Sequence, residues 1–331
     1  MSKILLVCYT SPKIGLGHLS RLLALAQTLK KDKKVVPEFL IFGNLIKKDE
    51  LGSFVTHNFS IQNDFSQTIQ GLLENNNFKA IVFDIHQNYN KNNLYKLITK
   101  LKKKKILVIS IDSLIEYCDI IDLIWIPSFN FDTTKHSNCK SLLRSGWDTY
   151  LIQKRINHEE WKPGSKILVL TGGSDISNLG KTLPTQLDQI LDKNLEVHWV
   201  KGPLSEDPII PEKCKLKWIF HDAPQKLDEL IVGSNYILTV FGISFFEVLQ
   251  YGIPTIVFSP YDNKDDKDLL ALSKEDVAKV SFNLETAIKE LSNLIIDEKL
   301  AKKLSINALK KMSVNGSEKL SKEIHLLLNR S

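Results

Sequence analysis

The chain has only four cysteines and two methionines in 331 residues, and none of its apolar runs approaches the roughly 20 residues that a membrane-spanning helix needs. The opening run, MSKILLVCYT, gives way at once to Ser11, Pro12 and Gly15. It is too short for a membrane span and has the wrong flanks for a secretory signal. Cys8, Cys118, Cys139 and Cys214 show no CxxC or CxxH spacing. Structural zinc is therefore not expected, and the cysteines read as free thiols in a reducing compartment, the cytoplasm. There is no GxGxxG dinucleotide fingerprint, no DxD pair at a strand end, and no internal repeat of about 20–50 residues. No cofactor and no metal are expected on these grounds.

Charge is present but unevenly shared. The formal net charge is +6, with +7 in residues 1–160 and −1 in the remainder. Much of the excess lies in two lysine clusters, Lys30–Lys34 and Lys100–Lys105, each where a helix should be ending. Cations there complement the helix dipole. No aromatic residues interleave with them as a single-stranded nucleic acid platform requires, so nucleic acid is not an expected partner.

What recurs is a short apolar, β-branched run, a loop, and then a helix-period stretch. KILLVCY (3–9) precedes LSRLLALAQTLKK (19–31), and VPEFLIFG (36–43), KAIVFDI (79–85), KILVISID (105–112) and LIWIPS (123–128) continue the series. Residues 129–163 are polar and break it. A second series begins with KILVLTGGSD (166–175) and continues through 195–202, 216–222, 236–244 and 252–260, with helices over 284–296 and 317–329. Continuous apolar strands alternating with helices predict parallel sheets covered on both faces. The fold class is thus α/β with two Rossmann-like domains facing across a cleft, residues 1–158 and 159–331.

Ligands of open α/β sheets bind beyond the carboxyl ends of the strands, so the loops there are the ones to read. In SPKIGLGHLSR (11–21), Gly15 and Gly17 allow a tight turn and a close backbone approach. His18 stands at the mouth of the next helix and Arg21 one turn later; histidine is the side chain best suited to proton transfer near neutrality. In TGGSDISN (171–178), Gly172, Gly173 and Ser174 suit a phosphate cradle, although Ser174 or Asp175 could equally cap a helix. In FGISFFEVLQYGIP (241–254), Gly242 and Ser244 begin a helix, and Glu247 follows one turn in, where a carboxylate can hold a ribose diol or simply answer the helix dipole. Asp84 ends a strand, either orienting His18, binding sugar or serving as a loop acid.

The spacing S-x-x-x-G-x-G-H-x-x-R, then G-G-S-D-x-x-N, then a serine and glutamate before G-x-P, resembles the GT-B superfamily. Within it, the likeness is to the UDP-sugar hydrolases of pseudaminic acid biosynthesis. IGLGHLSR, GWDTYLIQKRI (146–156), GGSDISNL and WIFHDAPQKLDELI (218–231) fall in that family's order over most of the chain. The resemblance implies metal-independent release of UDP from a diacetamido-trideoxyhexose-like sugar, with His18 activating water. Asp84 and Arg21 would assist, the first domain forming the sugar and catalytic side and the second binding the nucleotide. Gly15, Gly17, Gly172, Gly173, Ser174 and Asp175 would face substrate, the backbone at Ile219 and Phe220 the uracil, and Gly242, Ser244 and Glu247 the ribose end. The sequence departs from that pattern at Phe246, where the hydrolases carry asparagine. Two alternatives follow: an inverting glycosyltransferase with a UDP-sugar donor, which could associate weakly with a membrane surface, and a non-catalytic nucleotide-sugar binding subunit.

Overall fold

A computed structural model describes the whole chain apart from residues 12, 33, 44–50, 86–92, 158, 159, 262 and 331. The chain divides into two compact units, residues 1–153 with 314–331, and residues 154–313. In the first unit the elements run β1 (Ser2–Thr10), α1 (Gly17–Lys30), β2 (Val35–Gly43), β3 (Val55–Phe59), α2 (Phe65–Asn75), β4 (Phe78–Asp84), α3 (Leu94–Lys103), β5 (Leu107–Ile111), β6 (Leu123–Ile126) and β7 (Leu142–Ser145). Among the described residues these strands form one seven-stranded sheet in the order β3-β2-β1-β4-β5-β6-β7, and every pairing is parallel.

The alternation of side chains along β1 shows why that strand reads as an unbroken apolar run. Ile4, Leu6 and Cys8 pack on one face of the sheet with Leu19, Leu22, Leu25, Ala26 and Leu29 of α1. Leu5, Val7 and Tyr9 point to the other, against Phe65 and Ile69 of α2 and Leu94, Leu97, Ile98 and Leu101 of α3. A strand buried on both faces has no polar side to show. The lysine clusters sit as expected: Lys30 occupies the last turn of α1, and Lys100, Lys102 and Lys103 the last turn of α3. Several find partners within the chain, Lys30 on the Ser53 carbonyl, Lys100 on the Gln70 side chain and Lys102 on Asp122.

The second unit contains β8 (Lys166–Leu170), α4 (Leu183–Ile190), β9 (Glu196–Lys201), β10 (Lys217–Asp222), α5 (Leu227–Val232), β11 (Tyr236–Val240), α6 (Ile243–Leu249), β12 (Thr255–Phe258), α7 (Asp266–Leu272), β13 (Lys279–Ser281), α8 (Leu284–Ile296) and α9 (Glu298–Lys311). Its parallel sheet runs β10-β9-β8-β11-β12-β13, and its core joins Leu168, Trp199, Leu238, Ile256, Leu187 and Leu291.

Three expectations are corrected. The final helix, α10 (Gly316–Leu328), belongs with the first unit and not with residues 159–313. Its Leu320 and Ile324 complete the core around α1, Arg144 of β7 pairs with its Glu323 at 3.0 Å, and Lys319 pairs with Asp148. Cys118 and Cys139 are joined as a disulfide, leaving Cys8 and Cys214 as thiols. The polar stretch 129–163 is no interruption of the sheet but holds β7, a half-buried edge strand whose side chains lack the apolar signature of the central ones. Among the described residues, no helix is long and apolar enough to cross a membrane.

Candidate active site

In the first sheet the direction of chain progression reverses between β1 and β4, which are neighbours at its centre. Such a switch point opens a crevice outside the carboxyl ends of the strands. The loop after β1 turns on Ser11: the amides of Ile14 and Gly15 both donate to its carbonyl oxygen, at 3.2 and 2.8 Å. Gly15 adopts φ +80° there, a conformation open to glycine at no steric cost. Helix α1 then starts at Gly17, with neither a side-chain cap nor an acid in its first turn. His18 and Arg21, three residues apart, share the helix face that meets the end of β4.

These side chains converge on Asp84. Its Oδ1 lies 2.6 Å from His18 Nδ1. Arg21 grips the same carboxylate side-on, Nη2 donating to Oδ1 at 2.6 Å and Nε to Oδ2 at 2.9 Å. The third guanidinium nitrogen, Nη1, donates to Asp112 Oδ2 at 2.8 Å. Asp84 is wholly inaccessible, whereas Asp112, just past β5, is 46% exposed at its side chain. Asp84 is legible in the sequence as an acid at a strand end; Asp112 ends KILVISID in the same way, but its partner Arg21 lies 91 residues away.

The contacts assign the tautomer of His18. Asp84 is acceptor-only when ionised, so the 2.6 Å contact requires the imidazole proton on Nδ1. Arg21 Nη2, 3.0 Å from the same Nδ1, is a donor too, and its proximity follows from the shared carboxylate. The basic lone pair of neutral His18 therefore resides on Nε2. Burial by itself would raise the Asp84 carboxyl, but the charges of Arg21 and His18 and their hydrogen bonds hold it below the usual carboxylate range. Arg21 shows the same contest: burial opposes its charge, and Asp84 and Asp112 more than restore it. Cys8 sits in register with Asp84 across the β1–β4 pair. Burial, then the Asp84 charge, push its thiol up, against a smaller opposing effect of Arg21. Cys8 is thus a packed thiol rather than a nucleophile.

The second sheet has its own switch point, between β8 and β11. Gly172 follows β8 with φ +89°, and an added Cβ there would rest 3.9 Å from Val240 at the end of β11. Asp175 takes the capping role rather than a free orientation. Its Oδ1 accepts from the Leu179 amide at 2.9 Å and its Oδ2 from the Gly180 amide at 2.8 Å. A one-turn 3-10 segment, Leu179–Lys181, intervenes before α4, so the helix begins later than the glycine pair suggested. Ser174 is half-buried in this loop.

Ser244 and Glu247 lie on the half-buried side of α6, directly after Gly242, while Phe245, Val248 and Leu249 point inward. Phe246 is buried too, its ring 5.0 Å from Phe245 and 5.9 Å from Phe241. Ile219 and Phe220 lie within β10, at the sheet edge, two to three residues before its carboxyl end at Asp222.

Gly202, immediately after β9, packs directly on the glycine pair: a Cβ there would come 2.4 Å from the Gly172 carbonyl oxygen and 2.5 Å from Gly173. Since the obstruction is backbone, Gly202→Ala is expected to displace the 171–178 loop. It should lower stability by about 1–3 kcal/mol, the usual cost of overpacking, as read by thermal unfolding. An unchanged melting curve would show that the loop yields freely. Among the described residues no group of three His, Cys, Asp or Glu side chains is placed to hold a metal ion.

No protein-family model matches the chain. An uncharacterised protein of Methanocaldococcus jannaschii is 26% identical in an alignment 307 residues long that covers 85% of this chain. The chain spans only 60% of the length of that curated relative. MurG of Acinetobacter baumannii superposes with a TM-score of 0.66 at 13% identity, over 98% of this chain and 99% of that one. MnaA of S. aureus in complex with UDP gives 0.65 at 13% identity, over 99% and 97%. The UDP-GlcNAc 2-epimerase of Neisseria meningitidis bound to UDP-GlcNAc gives 0.61 at 14% identity, over 99% and 100%. At such identities the likeness establishes the fold: two parallel-sheet α/β domains of the GT-B class.

Proposed function

We propose that this protein is an enzyme acting on a nucleotide-sugar, and specifically a UDP-sugar hydrolase in which His18 activates water. The observation that carries the reading is the His18–Asp84–Arg21 arrangement at the β1/β4 switch point. A histidine oriented through Nδ1 by a buried, charge-stabilised carboxylate has the second-group orientation that an acid–base catalyst needs.

In this mechanism Nε2 of His18 takes a proton from water as its oxygen bonds to the anomeric carbon. The bond from that carbon to the diphosphate oxygen breaks, and UDP leaves with the electron pair. Asp84 balances the positive charge that forms on His18, and Arg21 keeps Asp84 ionised and in place. The first unit supplies the base and the sugar-facing groups. The second unit holds the nucleotide: the Gly172–Ser174 segment faces the phosphates, Glu247 the ribose and the β10 segment at Ile219 and Phe220 the base. Asp175 contributes by bracing the phosphate loop through its capping bonds.

A glycosyltransferase is the second reading, favoured by one feature. Phe246, which stands where the hydrolases carry asparagine, is buried among aromatic rings and supplies no amide. The same base would then deprotonate an acceptor hydroxyl. The test is UDP release from a panel of UDP-sugars in the presence of EDTA, with and without candidate acceptors. Release in water alone is the expected result; release only with an acceptor replaces the hydrolase by the transferase, and binding without turnover removes both.

A further inference from the structure

We propose that Asp112 is a sugar-reading residue, its carboxylate accepting a hydrogen bond from a hydroxyl or amide N–H on the hexose. The proposal rests on the nucleotide-sugar reading above and deepens it. Arg21 holds Oδ2 of Asp112 at 2.8 Å. The other oxygen, Oδ1, has no partner among the described residues, and the side chain is 46% exposed whereas Arg21 is 12% exposed. The carboxylate is therefore fixed at one oxygen and presented at the other.

Its position is also fixed. The residue has φ +61°, a left-handed conformation that aspartate adopts more readily than most non-glycine residues, and its amide donates to the Trp125 carbonyl at 2.9 Å. The chain leaves β5 in a turn that holds Asp112 beside the guanidinium.

Charge decides which part of the substrate it meets. Arg21 carries one positive charge and Asp84 and Asp112 one negative charge each, a sum of −1 over these three side chains. An exposed carboxylate with that surplus repels a diphosphate and suits neutral hydrogen-bond donors. Hydroxyl and amide groups of a sugar are such donors, and hydrogen bonds to charged groups are the strong ones.

The test is calorimetric titration of the full chain with UDP and with UDP-N-acetylglucosamine, for the wild type, Asp112→Ala and Asp112→Asn. Asp112→Ala is expected to weaken the sugar nucleotide by about 10-fold or more while UDP stays within about twofold. Asp112→Asn, which keeps an acceptor oxygen, should fall between. A purely structural role would weaken both ligands together, and that parallel loss overturns the proposal, as does an unchanged ratio of the two affinities. Binding of UDP without measurable binding of the sugar nucleotide by the wild type overturns it as well. If the wild type binds neither ligand, the nucleotide-sugar reading itself fails and takes this one with it. Should Asp112→Ala fail to fold, Asp112→Asn decides by the same ratio.

Discussion

Replacement of His18 by alanine is expected to lower the rate of UDP release by about 10²–10⁴-fold, the usual contribution of a positioned acid–base group. The affinity for UDP should be retained, since the nucleotide contacts assigned to the second unit do not involve this side chain. His18→Gln serves as the companion variant, because it fills the same region and can still donate toward Asp84 but has no basic nitrogen. Both variants should be slow. The measurement is steady-state UDP release with UDP binding followed in parallel. Turnover within about threefold of wild type would remove His18 as the base and leave the cluster a structural ion pair. Loss of binding along with turnover would point to a damaged fold.

The second large effect concerns stability. Asp84→Ala removes the central acceptor of the cluster and leaves the Arg21 guanidinium, 12% exposed, with only the partly exposed Asp112 opposite its charge. Deleting one partner of a buried ion pair costs about 3–5 kcal/mol, since the remaining charge has lost its water and its counter-ion alike. For a unit of this size, that corresponds to a fall in Tm of roughly 6–20 °C. Asp84→Asn preserves the shape but cannot offer two anionic oxygens to the guanidinium and the imidazole, so most of the loss should remain.

The pH dependence has a definite sign. Asp84 is held below its ordinary carboxylate range in the folded state, so the unfolded chain binds that proton more readily. Its contribution is fully present above the ordinary carboxylate pKa and is lost as pH falls through the lowered folded value. Thermal unfolding at pH 7 and in the acid range should therefore show a smaller acid-induced loss for Asp84→Asn than for the wild type. An equal loss in the two proteins would assign the acid limb to other carboxylates.

Much of the candidate site could be read from the sequence because its signals are local. A glycine-marked turn after a strand, a histidine and arginine one turn apart, and an acid at a strand end are patterns within a few residues. Asp175 was legible only as an ambiguity, since a capping acid and a ligand-facing acid look alike until the Leu179 and Gly180 amides are placed against it. Asp112 was missed because its meaning comes from Arg21, 91 residues away. Helix α10 was assigned to the wrong unit for a similar reason: its amphipathic pattern says that one face is buried but not against which core. The Cys118–Cys139 pairing, too, depends on the chain returning beside the segment after β5, which spacing does not reveal.

By itself, then, the sequence determined two series of buried parallel strands and helices, the loops that follow the strands, and the residue types at their ends. These depend on side-chain periodicity and on turn chemistry, both set by immediate neighbours. Only the tertiary structure decided that β1, β4 and β5 lie side by side, so that His18, Arg21, Asp84 and Asp112 become one hydrogen-bonded group. It also decided that His18 is protonated on Nδ1 and that Phe246 turns into the core. The physical reason is that strand order and burial arise from packing the whole sheet. The ionisation and tautomer of each group then follow from the partners that packing brings within about 3 Å.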